Sequence, residues 1–419
     1  MITNKINDLI ENEYPYLENL YIYLHKNPEL SFQEKKTSEK LANELESLSI
    51  PVEKFIGGYG IVGILKNGEG PTIMIRTDMD ALPQQEKTNL PYASDVKMIN
   101  SDGKESYVMH ACGHDIHMSI FIGTARILNK IKDYWKGTIL FVGQPAEEKI
   151  AGAAEMIKAG LFTRFPKPNY ILALHTHPTL FAGTVGYCEG YSWAADVMLD
   201  LIVKGVSGHG ASPHTSIDPI VISAHIIIAI QSIISREINP TEKAVITIGS
   251  IHGGLTHNII PSEVKLSITI RAYSQETINH ILESIKNKAN NIAKAFGLQE
   301  NLLPEIIQKE STPAVYNDPE LTNKLVHSFI KILGSDNVKK LEPEMISEDF
   351  GLYGLQEPKI PICIFRLGTL SKKMLEKYNN DINLVPKLHS DKYTPEYEIS
   401  IKTGVKAMVQ SIVDLLNKK

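Results

Sequence analysis

Apolar residues recur at helical spacing near the start of the chain, and short β-branched runs follow them. Residues 4–24 and 34–48 carry apolar side chains on one helical face, which predicts two amphipathic helices, with Pro15 breaking the first. The turn-rich join between them contains His25, which we interpret as a surface or packing histidine rather than a ligand.

A glycine-rich stretch after these helices has the spacing of a dinucleotide-binding loop. Gly58 to Gly63 fits Gly-x-Gly-x-x-Gly, and Asp78 follows at about the twenty residues that the motif requires. The motif also needs a strand before it and a helix after it. Here residues 61–65 are strand-like and run into Asn67-Gly68, a strong hairpin turn signal, and then into a second strand at 72–76. The pattern predicts a β-hairpin and argues against nucleotide binding.

Strand-like runs end on residues capable of chemistry in four places. They are 72–76 before Asp78 and Asp80, 138–143 before Glu147 and Glu148, 170–174 before His175, and 362–365 before Arg366. Helical patterns at 116–131 and 151–158 alternate with these strands, which predicts α/β layering. Sites in open α/β sheets lie beyond the carboxyl ends of the strands, so these segments supply candidate site residues.

Around residue 193 the order of elements changes to strand, helix, strand, strand, helix, strand. They are predicted at 197–203, 219–234, 244–248, 263–270, 276–295 and 303–308. This β-α-β-β-α-β order is that of a split βαβ sandwich. We therefore predict an inserted domain at 193–310, within a catalytic domain formed by 1–192 and 311–419.

Composition limits the class of protein and its partners. The length of 419 residues favours two domains, and the net charge of −5 without a basic block gives no indication of nucleic acid. The cysteines, Cys112, Cys188 and Cys363, are odd in number and widely spaced, which indicates a reducing compartment; Cys188 and Cys363 are interpreted as buried and unreactive. We recognise no signal peptide, and apolar runs such as Ile226 to Ile230 are too short to span a membrane. A cytoplasmic protein is predicted.

The densest group of potential metal ligands lies between His110 and His117. Cys112 and His114 stand two apart around a glycine, and thiolate and imidazole both bind ions such as zinc. The helix that follows points its positive end toward Cys112, which predicts a thiolate. A metal site is the first hypothesis, with His110, Asp115 and His117 in support. A buried cysteine beside hydrogen-bonded histidines is the alternative.

Glu147 and Glu148 are adjacent acids at the end of a predicted strand. Two such carboxylates repel each other unless a cation or a shared proton compensates. Beside a metal, one glutamate can bind the ion while the other accepts a proton from water that the ion makes more acidic. The alternative is the solvated acidic start of a helix.

Two aspartates and three histidines are further candidates. Asp78 and Asp80 would share one face of a continuing strand, and they either form a turn or orient a ligating histidine or a general base. His175 and His177 directly follow a predicted strand, and only one of them need be a ligand. His389 lies in a proline-flanked loop and, taken alone, is interpreted as a surface histidine.

The predicted inserted domain contains three candidate substrate contacts. His209 lies in a glycine-rich loop at 205–214, and Asn258 and Arg271 could offer an amide and a guanidinium to a carboxylate. A loop glycine cluster, a turn asparagine and a solvated arginine at a strand end are equally good interpretations.

Taken together, six motifs carry a family resemblance. They are Arg76-Thr-Asp-Met-Asp-Ala-Leu-Pro83, His110-Ala-Cys-Gly-His-Asp115, Gln144-Pro-Ala-Glu-Glu148, Leu174-His175, the loop Gly208-His-Gly-Ala-Ser-Pro-His214 and Ser347-Glu-Asp-Phe350. The chain resembles the M20 metallopeptidase family from about Leu24 to its C-terminal helix. It is most similar to the amidohydrolase branch, the N-acyl-amino-acid hydrolases that include hippurate and auxin-conjugate hydrolases.

The resemblance implies a metallopeptidase-type catalytic domain with a mixed central sheet flanked by helices, and an inserted α+β lid that supports a homodimer. It implies two divalent ions, zinc or manganese, held by Cys112, His114, Glu148, His175 and His389. Glu147 matches the general base, with Asp80 assigned to the catalytic group. His209, Asn258 and Arg271 match residues that polarise the scissile carbonyl and hold the substrate carboxylate, and His209 could serve a neighbouring subunit's site.

The predicted function is therefore metal-dependent hydrolysis of the amide bond of an N-acyl amino acid or a small related peptide. A carboxypeptidase or dipeptidase with the same site is the alternative. A catalytically silent metal-binding protein is a further one, but it would not need Glu147 beside Glu148. His177, Gly143 and Asp391 depart from the residues usual at their positions, which leaves substrate preference and metal identity open.

Overall fold

The computed structural model describes residues 2–417, which divide into two compact units. Unit 1 comprises the residues up to Gly190, Tyr316–Glu342 and the residues from Asp349 onward. Unit 2 comprises Tyr191–Val315 and Pro343–Glu348. Along the chain, unit 2 thus interrupts unit 1.

The elements are numbered in chain order. The helices are α1 (Ile2–Lys26), α2 (Lys35–Ser47), α3 (His114–Lys130), α4 (Gly152–Lys158), α5 (Leu161–Arg164), α6 (Pro219–Arg236), α7 (Gln275–Ala295), α8 (Pro319–Leu333), α9 (Gly351–Gly354), α10 (Lys372–Lys377) and α11 (Tyr397–Leu415). The strands are β1 (Val52–Ile56), β2 (Gly60–Asn67), β3 (Thr72–Asp78), β4 (Lys97–Ile99), β5 (Glu105–Tyr107), β6 (Gly137–Gln144), β7 (Tyr170–Phe181), β8 (Val185–Tyr187), β9 (Gly190–Trp193), β10 (Ala195–Lys204), β11 (Gly208–His209), β12 (Ala244–Gly253), β13 (Ile259–Ile260), β14 (Glu263–Ala272), β15 (Glu305–Thr312), β16 (Val315–Asn317), β17 (Val338–Lys340) and β18 (Ile362–Leu370).

Unit 1 is built on a mixed eight-stranded sheet in the order β1-β2-β6-β3-β7-β18-β8-β17. Its central strands β6, β3, β7 and β18 run parallel, and β1 and β2 extend the sheet antiparallel. Helices α1, α3 and α11 pack on one another over a shared apolar core. The predicted α/β fold with a mixed central sheet flanked by helices is confirmed.

The parallel strands bring the segments after β3 and β6 to one edge of the sheet, as predicted. Two strands run well past the residues predicted to follow them: β7 reaches Phe181 and β18 reaches Leu370. His175 and Arg366 therefore lie within these strands, opposite each other, and the prediction that they follow strand ends was wrong. Strand pairing continues past both residues, which the apolar runs alone could not reveal.

The predicted hairpin between β2 and β3 is also wrong, because β6 lies between them and pairs with both. The hairpin joins β1 to β2 instead, around Gly57 and Gly58, which both have positive φ. Thus the Gly58–Gly63 stretch is a turn followed by a strand. The dinucleotide-binding motif needs a helix at that place, which is the argument against nucleotide binding.

Helix α1 is continuous, so the predicted break at Pro15 is wrong. Proline removes one backbone donor, but this residue lies on the exposed side of the helix. Apolar residues on both sides of it, from Ile10 and Tyr14 to Leu17 and Tyr21, form one buried face. That face packs against α3 and α11, which holds the helix together through the proline.

Unit 2 has the predicted β-α-β-β-α-β order, in an antiparallel sheet ordered β12-β14-β10-β15. Helices α6 and α7 pack on each other and on this sheet over a second apolar core. By length and composition alone, α6 could cross a membrane: its 18 residues have a mean hydropathy of 1.6, and one third of them are buried. The expectation that apolar runs such as Ile226 to Ile230 are too short does not hold for the full helix that contains this run. Its buried face packs on the unit 2 sheet.

Candidate metal centre

A glycine turn sets Cys112 and His114 side by side at the start of α3. Gly113 has φ +81°, a conformation that favours glycine, and a Cβ there would lie 2.7 Å from Oγ1 of Thr176. The Thr176 hydroxyl donates to the Cys112 carbonyl oxygen at 2.8 Å. The turn is thus fixed against β7, the strand that carries His175.

The five residues predicted as ligands come together within unit 1, in groups whose ligand atoms lie within 4.8 Å of one another. These groups are Cys112, His114 and His175; Cys112, Glu148 and His389; and His114, Glu147 and Glu148. His389 is exposed and has positive φ, and its backbone N–H donates to the Ala111 carbonyl oxygen at 2.9 Å. This bond ties the distant loop of His389 to the Cys112 segment. The roles of the five residues as metal ligands stay predictions.

His114 and His175 each keep one ring nitrogen, Nε2, available to bind a metal ion. Nδ1 of His114 donates to the Asp80 carbonyl oxygen and Nδ1 of His175 donates to the Thr176 carbonyl oxygen, each at 2.8 Å. Each Nε2 therefore faces the cluster as a potential ligand. Nε2 of His114 and Oε1 of Glu148 are buried without a hydrogen-bond partner in the described residues, and they lie 3.9 Å apart. A bound cation would satisfy both atoms, so the residues present fit a metal.

The carboxylates of the cluster also stabilise a positive charge at His114. Burial favours the neutral ring of His114, but Asp78, Asp80 and Glu148 raise its pKa to about 10. A proton and a metal ion compete for the same nitrogen. The nearby carboxylates favour either cation at this position.

The expectation that the α3 N-terminus makes Cys112 a thiolate is wrong for the metal-free protein. Burial raises the pKa of the thiol well above its usual range, and Glu148 and Glu147 raise it further. A metal ion would have to displace the proton to bind the sulfur.

Glu147 and Glu148 form a turn in which Glu147 is buried and Glu148 is half-buried, so the alternative of a solvated helix start is wrong. Glu147–Lys149 is a single 3-10 turn, and Glu147 is buried. An oxygen of each carboxylate lies within 4 Å of Nε2 of His114, at 3.8 and 3.9 Å. The carboxylate of Asp80 accepts the backbone N–H groups of both glutamates, at 3.1 and 2.9 Å. Asp80 thereby orients this turn.

Asp78, the last residue of β3, orients His117, and its Oδ1 and that of Asp80 lie 3.9 and 3.6 Å from Nδ1 of His114. Nδ1 of His117 donates to Asp78 at 2.7 Å, and its Nε2 accepts the Thr176 N–H at 2.9 Å. Both ring nitrogens are thus occupied, in agreement with a supporting role for His117. Arg76 donates to the other oxygen of Asp78 at 2.6 Å.

His25 is buried in an ion-pair network instead of lying at the surface. Its Nδ1 lies 2.6 Å from Asp115, and its Nε2 lies 3.2 Å from Glu86. Burial opposes the charged ring, but hydrogen bonds to the two acids raise the pKa of His25 to about 9. The resulting cation binds Asp115 in the first turn of α3.

Within unit 2, two of the three predicted substrate contacts lie together. Strand β11 pairs His209 with Ile259, and the Gly210 N–H donates to the Asn258 carbonyl oxygen at 2.8 Å. Arg271 lies near the other end of β14, about 27 Å along an extended strand from Glu263.

The side chains of these three residues make local contacts. His209 and Asn258 are exposed, whereas the guanidinium of Arg271 bonds to Asp196 at 3.0 Å and to the Met345 carbonyl oxygen at 2.7 Å. Their proposed contacts with substrate stay predictions.

Sequence reasoning gave no role to two residues that bond to the site. Ser31 donates to Asp80 at 2.6 Å, and Glu34 accepts the backbone N–H of Ala146 at 2.8 Å. The local pattern predicts only a turn and a helix start for this segment, and it gives no sign of a partner more than one hundred positions away.

A buried group of thiol, imidazole and carboxylate side chains at the edge of an α/β sheet defines a metal-binding protein of the α/β class. Comparison with known proteins narrows the class. The model of peptidase family M20/M25/M40 matches residues 74–389.

Three relatives show how much of the chain this similarity covers. N-acetylcysteine deacetylase from Bacillus subtilis is 37% identical over 83% of this chain and 86% of its own. Thermostable carboxypeptidase 2 from Saccharolobus solfataricus is 34% identical over 94% of both chains. The crystal structure of the Bacillus subtilis YXEP protein, a dinuclear metal binding peptidase from the M20 family, superposes with a TM-score of 0.78 at 30% identity, over 97% of this chain and 99% of that one. The chain belongs to the M20/M25/M40 peptidase family and is a metal-dependent hydrolase.

Proposed function

We propose that this hydrolase cleaves the amide bond of N-acyl amino acids with two bound divalent ions, zinc or manganese. The observation that carries the proposal is the Glu147–Glu148 turn, whose carboxylates face Nε2 of His114 inside a cluster with a thiol. A silent metal-binding protein has no need of the second carboxylate. The deacetylase activity named for the Bacillus subtilis relative supports the substrate class.

Cys112, His114, Glu148, His175 and His389 would hold the ions. The ions supply Lewis acidity, which polarises the substrate carbonyl and makes water more acidic. Glu147 accepts the proton of the attacking water and passes it to the leaving amine. Asp80 holds the backbone of Glu147 and keeps its carboxylate aimed at the cluster.

A substrate panel tests this function. The purified protein, loaded separately with zinc, manganese or cobalt, is assayed on N-acetyl and N-benzoyl amino acids, dipeptides and peptides with a free carboxyl terminus. We expect the highest kcat/KM on an N-acyl amino acid. Carboxypeptidase action is the second candidate, because a carboxypeptidase is among the relatives, and a preference for peptides would favour it. No turnover on any member with full metal occupancy would refute the proposal.

We also propose a homodimer formed through unit 2. The exposed side of α6 carries Ile220, Val221 and Ile228, the last 71% exposed, and β12 is one of the two edge strands of the described sheet. Exposed apolar side chains beside a sheet edge are typical of a protein interface. The length of β14 supports this arrangement, since Arg271 lies near its end whereas Asn258 precedes its start, and a small substrate does not span about 27 Å.

Ile228→Glu is expected to convert the dimer into a monomer, because it places a charge in the apolar face. Sedimentation velocity at micromolar concentration measures the change. Ile330→Glu, at an exposed isoleucine of α8 in unit 1, is the matched control and should stay dimeric. A wild-type protein that sediments as a monomer would contradict the proposal.

A further inference from the structure

Three consecutive backbone N–H groups in the turn of Ala146, Glu147 and Glu148, here called the glutamate turn, donate to two carboxylates. The Ala146 N–H donates to Oε1 of Glu34 at 2.8 Å. The Glu147 N–H donates to Oδ1 of Asp80 at 3.1 Å, and the Glu148 N–H donates to Oδ2 of the same residue at 2.9 Å. The backbone of the turn is thus held from two separate segments of the chain.

The glutamate turn has a conformation that needs such support. Ala146 is fully buried and has φ +50° and ψ +42°, a left-handed conformation that alanine rarely adopts. Its buried N–H would lack a partner without Glu34, and an unsatisfied buried donor is costly. The bond to Glu34 therefore stabilises the conformation from which both glutamate side chains project.

The side chain of Glu34 serves this turn rather than its own helix. The residue precedes α2, where an acid often caps the first turn, but in the described residues its side chain makes no capping bond to α2. One oxygen, Oε1, accepts both the Ala146 N–H and the Phe32 N–H, each at 2.8 Å. The other, Oε2, is buried and has no hydrogen-bond partner in the part of the chain that the structure describes.

We propose that Glu34 is a positioning residue for the hydrolytic site: through Ala146 it fixes the backbone of the glutamate turn, so that Glu147 and Glu148 point into the metal cluster. The roles of Glu147 and Glu148 rest on the proposed function. Only the accepting oxygen is required, since Oε2 makes no bond. Glutamine can supply that oxygen, and methionine, of similar length, cannot.

Three substitutions separate positioning from general stability. Glu34→Met removes the acceptor, Glu34→Gln keeps it, and Glu29→Met is the matched control. Glu29 is a buried acid in the same segment, and its carboxylate accepts the N–H and hydroxyl of Thr37, at the start of α2, at 2.8 and 2.9 Å. Glu29→Met thus removes a comparable bond that does not reach the glutamate turn.

Two readouts test the proposal on the full-length protein. The first is kcat and KM on the best substrate of the panel. The second is the retention of cobalt by the cobalt-loaded protein against a graded chelator, followed by its visible absorbance. Glu34→Met is expected to lower kcat with little change in KM and to weaken cobalt retention, each by about 10- to 100-fold. Glu34→Gln should match wild type in both, and Glu29→Met should lose stability alone.

Wild-type kcat and cobalt retention in Glu34→Met would overturn the proposal, as would equal losses in Glu29→Met or in Glu34→Gln. If Glu34→Met does not fold, Glu34→Asp replaces it, because aspartate keeps a carboxyl group but is one methylene too short to reach Ala146. Wild-type behaviour of Glu34→Asp would likewise overturn the proposal. If the wild-type protein hydrolyses nothing, the proposed function fails, and cobalt retention still decides the role of Glu34.

Discussion

Glu147→Gln is expected to keep its metal and to lose kcat by about 10² to 10⁴, the usual contribution of a general acid–base group. Glutamine has the shape of glutamate but cannot accept a proton at neutral pH. The turn should survive, because Asp80 binds the backbone N–H of residue 147 and not its side chain. The loss would therefore report proton transfer rather than a change in position.

The measurement combines steady-state kinetics with metal analysis by mass spectrometry on the same sample. Glu155→Gln, at a half-buried glutamate of nearby α4, is the matched control and should keep wild-type turnover. Near wild-type turnover in metal-replete Glu147→Gln would refute the role of Glu147 as the base.

Cys112→Ser is expected to lower metal content and activity together. The thiol lies 3.5 Å from Nε2 of His175 and belongs to two of the candidate ligand groups. Serine is nearly isosteric, but its hydroxyl is a poor ligand for zinc where a thiolate is a strong one. Two measurements test this prediction: the metal content after dialysis against a weak chelator, and kcat on the same sample.

Cys363→Ser provides the matched control for this change. Cys363 is also fully buried, on β18, where the Thr322 hydroxyl donates to its sulfur at 3.5 Å. It should keep its metal even if it loses some stability. If Cys112→Ser retains stoichiometric, tightly bound metal, Cys112 is a packing residue and the metal centre has been assigned wrongly.

The cluster could be anticipated from sequence because its signals are local. Cys112 and His114 flank one glycine, and Glu147 and Glu148 are adjacent just after a strand. Parallel strands bring such segments to one edge of a sheet, so proximity followed once α/β layering was recognised. The motifs also occur in the order expected of the family, which extended the prediction to His389.

The features that escaped prediction depend on partners far away in sequence. Pairing of β6 with both β2 and β3 overrode the hairpin signal of Asn67-Gly68, and packing on α11 kept α1 helical through Pro15. The pKa of the Cys112 thiol reflects burial and nearby acids that the helix-end argument did not include. No periodicity or turn signal encodes contacts of this kind.

The interruption of unit 1 by unit 2 has a consequence for synthesis on the ribosome. Helix α1 buries its apolar face against α11, and the core strand β18 also follows unit 2 in the chain. While α11 is still untranslated, the part of the apolar face of α1 that packs on α11 stays exposed, although α3 and most of unit 2 have already emerged. Domains generally fold as units during translation, so we expect the second unit in sequence to fold first. The nascent N-terminal half would then be a natural client of chaperones that bind exposed apolar helices.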